Sequence, residues 1–176
     1  MERQWTISPW TNEWNQQFEV ESNVLQDIFQ SELVDIHHVG STSVPSIGYA
    51  KPIIDILIIV KNIEQVDVGN EQMIDTGYRV RGENGIPNRR YFSKGDLQRT
   101  HHVHIYQQGD SRILTYLDFK AYLLQHPAEA AKYGQLKLDI LASYPNEQYQ
   151  QVKEDRINHL VEKALRWGEE ERKRLE

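Results

Sequence analysis

Asp55 is the residue whose position most needs a chemical reason, because it lies inside Ile53 to Val60, a run otherwise made only of Ile, Leu and Val. A carboxylate in a buried strand costs several kcal/mol unless it is paired, hydrogen-bonded or bound to a cation. Asp55 is therefore a candidate metal ligand; pairing with Lys51 or an arginine, or capping of a nearby loop, is the competing reading. Upstream, Gly40-Ser41-Thr42-Ser43 follows a short β-like run. Glycine lets backbone N–H groups approach a ligand, and three hydroxyls add donors, which is the equipment of a phosphate-binding loop. The spacing is not that of a Walker loop. A Ser/Thr-rich turn that satisfies its own backbone is the alternative, against which stands the continuation of the loop to Lys51 and Asp55.

Thr100 to Tyr106 supplies three histidines. Strand alternation places His102, His104 and Tyr106 on one face, with the two histidines about 6.6 Å apart along the strand. Such a pair can grip a metal or a phosphate, and with Asp55 it makes a two-His, one-carboxylate set. Hydrogen bonds to neighbouring loops would account for the pair as well. Arg79, Arg81, Arg89, Arg90, Lys94 and Arg99 crowd the middle of the chain, and arginine holds phosphate oxygens bidentately. Arg89 and Arg90 point to opposite faces of their strand, so only one of them can share a pocket with His102 and His104. Tyr133 and Lys137 lie four apart on a helix face, suited to stack on a base and touch a phosphate; a lysine snorkelling past a half-buried tyrosine fits the same spacing.

The elements that must position these residues follow from periodicity. Ser8-Pro9 reads as a helix start, and Trp14, Phe18, Glu21, Leu25 and Ile28 recur at helical spacing. Val34 to Val39 reads as a strand, Gly40 to Lys51 as irregular, and residues 53 to 60 as a central strand covered on both faces. A helix is expected over Ile63 to Thr76, ended by Gly77. Strands follow near Tyr78, at Arg89 to Ser93 and at Thr100 to Tyr106, with Gly82 to Pro87 as a loop. Residues 112–125, 127–142 and 146–175 are expected to be helical, broken at His126-Pro127 and Tyr144-Pro145. This order describes one domain over 1–176, of α+β or α/β class, with 112–176 as its helical C-terminal part.

The composition limits what that domain does. The chain has 176 residues, 20 Lys+Arg against 26 Asp+Glu, a net charge of -6 and no cysteine. Without cysteine there are no disulfides, Fe–S clusters, thiolate zinc sites or thiol nucleophiles, so any metal sits on His, carboxylate or hydroxyl ligands. The acidic balance argues against a protein that coats duplex DNA or an anionic membrane. Residues 1–10 have no apolar signal-peptide core, and 52–60 is too short to span a bilayer. A cytoplasmic location is expected; oligomeric state is not readable.

HVGSTSVPSIGYAKPIIDILI from 38 to 58, GENGIPNRRYFSKG from 82 to 95, RTHHVHIY from 99 to 106 and FKAYLLQHPAEAAKYGQLK from 119 to 137 resemble the GrpB family. That family is similar to a branch of the nucleotidyltransferases, and like domains occur fused to dephospho-CoA kinase in some bacteria. The resemblance implies an α+β nucleotidyltransferase-like fold, a small mixed sheet flanked by helices with a helical C-terminal third. It also implies a Gly-Ser loop, here Gly40 and Ser41, gripping nucleotide phosphates, and strand carboxylates holding Mg²⁺, of which Asp55 is the first. Leu57 stands where the second carboxylate belongs, His102 or His104 where the third would fall, and Ser46 where glycine is usual.

Three functions are then expected. The first is a nucleotidyltransferase-like protein that binds a nucleoside triphosphate through Gly40, Ser41, Thr42, Lys51 and Arg89 or Arg90. In it Mg²⁺ or Mn²⁺ sits on Asp55 with His102 or His104, which supply a ligand or a general base. The second is a catalytically silent nucleotide- or phosphate-binding module, motivated by Leu57. The third is a metal-dependent hydrolase or oxygenase on His102, His104 and Asp55.

Overall fold

The computed structural model describes residues 6–176, so the first five residues of the N-terminal stretch read as lacking a signal-peptide core lie outside the described residues. Its elements run β1 (Ser8–Pro9), α1 (Glu13–Phe29), β2 (Leu33–Val39), β3 (Tyr49–Ala50), β4 (Ile54–Val60), α2 (Asn70–Asp75), β5 (Tyr78–Val80), β6 (Arg89–Lys94), β7 (His101–Gln107), α3 (Arg112–Gln125), α4 (Pro127–Ser143) and α5 (Asn146–Arg174). They divide into two compact units. One holds Asn12–Gly40 and Ile53–Ile113; the other holds the segment ending at Thr11, Ser41–Pro52 and Leu114–Glu176.

The first unit is built on a five-stranded sheet of order β2-β4-β7-β6-β5. β4 pairs antiparallel with β2 and parallel with β7, which makes the sheet mixed. Ile54, Ile56, Leu57, Ile58 and Val60 of β4 are all fully buried. This is why the run shows no polar alternation: both of its faces are covered. α1 lies on the face that carries Ile56 and His38, where Phe18 stacks on the His38 ring at 4.9 Å. Trp14, Leu25 and Phe29 are the buried stripe of that helix.

The second unit is the helical part, with a core of Val44, Ile47, Tyr122, Leu123, Ala130, Tyr133 and Ala164 and with Phe119, Ile157, Leu160 and Trp167 packed against it. Gly134 of α4 passes so close to the Ile47 carbonyl that a Cβ could not be accommodated. Asp118 of α3 is buried and accepts two hydrogen bonds from the Arg172 guanidinium, at 2.7 and 3.0 Å.

Two local expectations are corrected. Ser8-Pro9 does not begin a helix: it pairs with Tyr49–Ala50 as a two-stranded ribbon, and Trp10 N–H donates to the Gly48 carbonyl at 2.8 Å. The expected helix over Ile63 to Thr76 is a 3-10 stretch, Ile63–Gly69, followed by the short α2. The Asn62 side chain caps the Glu64 N–H at 3.0 Å, and Gly69 lies close against Ile28 and Phe29, so packing sets the tighter winding. The irregular loop after Gly40 contains 3-10 turns at Ser41–Ser43 and Pro45–Ile47.

Candidate functional site

In the sheet unit, register brings the chemistry together. Asp55 on β4 lies opposite His102 on β7, Leu57 opposite His104, and His104 opposite Tyr91 on β6. Alternation puts Asp55, His102, His104 and Tyr91 on one face. His102 Nδ1 and His104 Nε2 each stand 3.4 Å from the same Asp55 oxygen, Oδ1. Both contacts are long for hydrogen bonds. Burial alone would raise the Asp55 carboxyl, but hydrogen bonds from His102 and His104 and the charge of those rings outweigh it and hold the carboxyl well below the usual carboxylate range. Asp55 is thus an anion in an apolar strand, with 31% of its side chain still open to solvent.

Gly40, which ends the strand before the Ser/Thr turn, has φ +73, and a Cβ there would lie 2.7 Å from Asp55 Oδ2. Only glycine lets this backbone reach the carboxylate in that conformation. Tyr91 escaped the sequence reading: its ring lies 5.6 Å from that of His102 and 5.2 Å from that of His104. The alternation that separates Arg89 from Arg90 would have placed it on the Arg89 face, but only the β6–β7 register shows that this face holds the histidines.

Arg89 and Arg90 do occupy opposite faces. Arg89 is buried, donates to the Glu83 carbonyl at 3.2 Å and the Asn84 carbonyl at 2.9 Å, and lies 5.0 Å from the Tyr91 ring. Arg90 donates to both Asp67 carboxylate oxygens at 2.7 and 3.1 Å. The remaining candidates belong to the helical unit. Thr42 is buried, and its carbonyl accepts from Trp10 Nε1 at 3.0 Å, while Ser41 opens the first 3-10 turn. Lys51 Nζ lies 4.3 Å from the centre of the Tyr149 ring. Lys137 is buried, donates to the Tyr49 carbonyl at 3.0 Å and sits 4.5 Å over the buried Tyr133 ring, so its ammonium is held inside by a backbone carbonyl and does not snorkel to water past a half-buried tyrosine. Tyr133 meets Phe119 edge-on at 5.7 Å.

Among the described residues, no group of three or more His, Cys, Asp or Glu side chains could hold a metal ion by itself. One ionised carboxylate does fit the way Mg²⁺ is commonly held, by one or two carboxylates with phosphate oxygens and water completing the shell. Among the described residues no helix is long and apolar enough to cross a membrane.

Comparison with known proteins agrees with this architecture. Residues 4–163 match the family described as GrpB protein. The chain is 46% identical over 160 residues to the UPF0157 protein YqkA of Bacillus subtilis, covering 90% of this chain and 46% of that one, so it spans less than half of that relative. The crystal structure of conserved protein GrpB from Enterococcus faecalis superposes with a TM-score of 0.86 at 39% identity, covering 92% of this chain and 98% of that one. A structure of a mutant Cid1 poly(U) polymerase bound to MgATP superposes with a TM-score of 0.50 at 11% identity over 74% of this chain and 42% of that one, a likeness of fold alone. The chain is an α+β protein whose fold resembles that of nucleotidyltransferases, and it belongs to the GrpB family.

Proposed function

We propose that the face carrying Asp55 and Gly40 binds the phosphates of a nucleoside triphosphate delivered with its own Mg²⁺ or Mn²⁺, and that the bound nucleotide is the donor in a nucleotidyl transfer. The observation that carries this reading is the contact between Gly40 and Asp55, where a backbone that can approach phosphate lies against an ionised strand carboxylate. The fold likeness to a polymerase whose structure contains MgATP supports it. Asp55 supplies one anionic oxygen to the cation that arrives on the nucleotide. His102 and His104 orient that oxygen, and a ring that is neutral when the nucleotide is bound can take the proton of an acceptor hydroxyl. In the transfer, the acceptor oxygen bonds to the α-phosphorus, the bond to the bridging oxygen breaks, and pyrophosphate leaves. Positioning and charge neutralisation then supply most of the rate.

A second reading, nucleotide binding without turnover, is favoured by one observation. Leu57, fully buried, stands opposite His104 where a second carboxylate would hold a second ion. Pyrophosphate release from a panel of nucleoside triphosphates and hydroxyl acceptors separates the two. Release that scales with protein and vanishes in Asp55→Ala supports transfer; retained release in that variant refutes it. Nucleotide binding with no release across the panel leaves the binding module.

A further inference from the structure

Most of the basic side chains that crowd residues 79 to 99 are already engaged. Arg79 pairs with Asp96, Arg89 donates to backbone carbonyls, Arg90 holds Asp67 and Lys94 holds Glu21. Arg81 and Arg99 differ, because both are aimed at one neutral atom, the hydroxyl oxygen of Ser93. Arg99 Nη1 donates to Ser93 Oγ at 2.9 Å, and Arg81 Nε stands 3.4 Å from the same oxygen. Arg81 has no ion pair among the described residues.

Ser93 is 1% exposed, so its hydroxyl proton needs an acceptor that water does not supply, yet both side chains facing it are donors. The two guanidinium nitrogens lie within about 6 Å of each other, where like charges repel unless an anion joins them. Arg99 is also fixed in place. Its Nη1 donates to the Gly95 carbonyl at 2.9 Å, the Thr100 N–H closes the loop on the Lys94 carbonyl at 2.9 Å, and a Cβ on Gly95 would collide with the Gln98 carbonyl. Donors ordered before a ligand arrives cost less to order when it binds.

Register places this donor set relative to the carboxylate. Ser93 on β6 lies opposite His102 on β7, and His102 lies opposite Asp55 on β4. All share one face, with two strand spacings, about 10 Å, between Asp55 and Ser93. Gly40 approaches Asp55 from the β2 side, against Oδ2, whereas Oδ1 faces the histidines. Across the sheet the order is Gly40, Asp55, His102, then Ser93 with its two arginines.

We propose that Ser93, Arg81 and Arg99 bind a phosphate carried by the acceptor of the transfer, which makes the acceptor a phosphorylated hydroxyl compound. This rests on the reading of Gly40 and Asp55 as the nucleotide site, which puts the donor's phosphates on the β2 side and His102 between them and Ser93. The guanidiniums meet the phosphate oxygens, and the Ser93 O–H donates to another of them. One strand spacing, about 5 Å, separates Ser93 from His102. That is the span from a phosphate to a hydroxyl two or three carbons along the same molecule, so the acceptor hydroxyl lies beside the histidine.

Inorganic phosphate titrated into the full chain at constant ionic strength, without nucleotide or metal, and followed by amide and arginine Nε–H NMR signals tests the subsite. Saturable shifts are expected at Ser93, Arg81 and Arg99. Arg81→Gln, at an exposed position, should weaken binding by about five- to tenfold, and Arg81→Lys by less. Asp55→Asn should leave it within about twofold, since about a Debye length separates the two positions. Glycerol 3-phosphate should then bind at the same residues beside a saturating Mg²⁺ complex of an ATP analogue with a methylene α,β-bridge. No saturable shift at Ser93, shifts located elsewhere, or an unchanged affinity in Arg81→Gln would overturn the proposal and leave the nucleotide reading intact. Displacement of either phosphate by the ATP analogue would assign the subsite to the nucleotide's own phosphates and overturn it as well. Failure of the analogue to bind, with phosphate still held at Ser93, would overturn the nucleotide reading and the acceptor assignment with it.

Discussion

Asp55 concentrates the chemistry of this chain in one oxygen, which both His102 and His104 face at 3.4 Å. Because its folded carboxyl is held below the usual range, it contributes stability that is fully present above the ordinary aspartate value near about 3.9 and is lost as pH falls through the lower folded value. Denaturant unfolding of wild type and Asp55→Asn should therefore show a stability difference that shrinks as the pH is lowered below about 4; a difference that stays constant there would contradict this assignment. Gly40→Ala is expected to cost about 1–2 kcal/mol for the left-handed backbone alone, and to displace the Asp55 carboxylate as well. Urea titration reads the first effect. At this scale the sequence was most legible where a residue violated its surroundings: Asp55 stood out because everything around it is apolar. Tyr91 did not stand out, because an aromatic in a strand is ordinary and only cross-strand register gives it its neighbours.

At the scale of elements, β4 is the strand on which the site depends. Ile58 is fully buried beside Ile105 of β7 and Ile36 of β2. Truncation to Ala leaves a cavity in the middle of the sheet and should cost about 2–5 kcal/mol in equilibrium unfolding, against well under 1 kcal/mol for an exposed position such as Val68. In the helical unit, Gly134→Ala must push α4 off the Ile47 carbonyl, and the expected loss is about 1–3 kcal/mol, read by thermal or chemical unfolding. Long elements with a strong period were legible: the apolar run interrupted only by Asp55 gave the central strand, and the Pro-punctuated helices α3 to α5 fall within a residue of their expected ends. The errors fell where a distant partner overrides a local signal. Ser8-Pro9 carries the chemistry of a helix start, yet Tyr49 and Ala50 recruit it into a ribbon. The Ile63–Gly69 stretch has helical composition, yet the close packing of Gly69 on Ile28 and Phe29 goes with a 3-10 winding.

For the molecule as a whole, the net charge of -6 makes general attraction to nucleic acid backbone unfavourable. Fluorescence anisotropy with a duplex DNA probe is expected to show no salt-dependent binding, so any nucleotide recognition must be local. Family and fold were legible together because the motifs at 38–58, 82–95 and 99–106 surround the site strands, whereas ligand identity depends on side chains that replace the usual carboxylates. Calorimetric titration of Mg²⁺-nucleoside triphosphates into wild type and Asp55→Asn reads nucleotide binding at Asp55 directly. Saturable, Mg²⁺-dependent binding by wild type is expected, weakened by at least about tenfold when the Asp55 charge is removed. No binding to wild type, or equal affinity in the variant, would contradict nucleotide binding at Asp55.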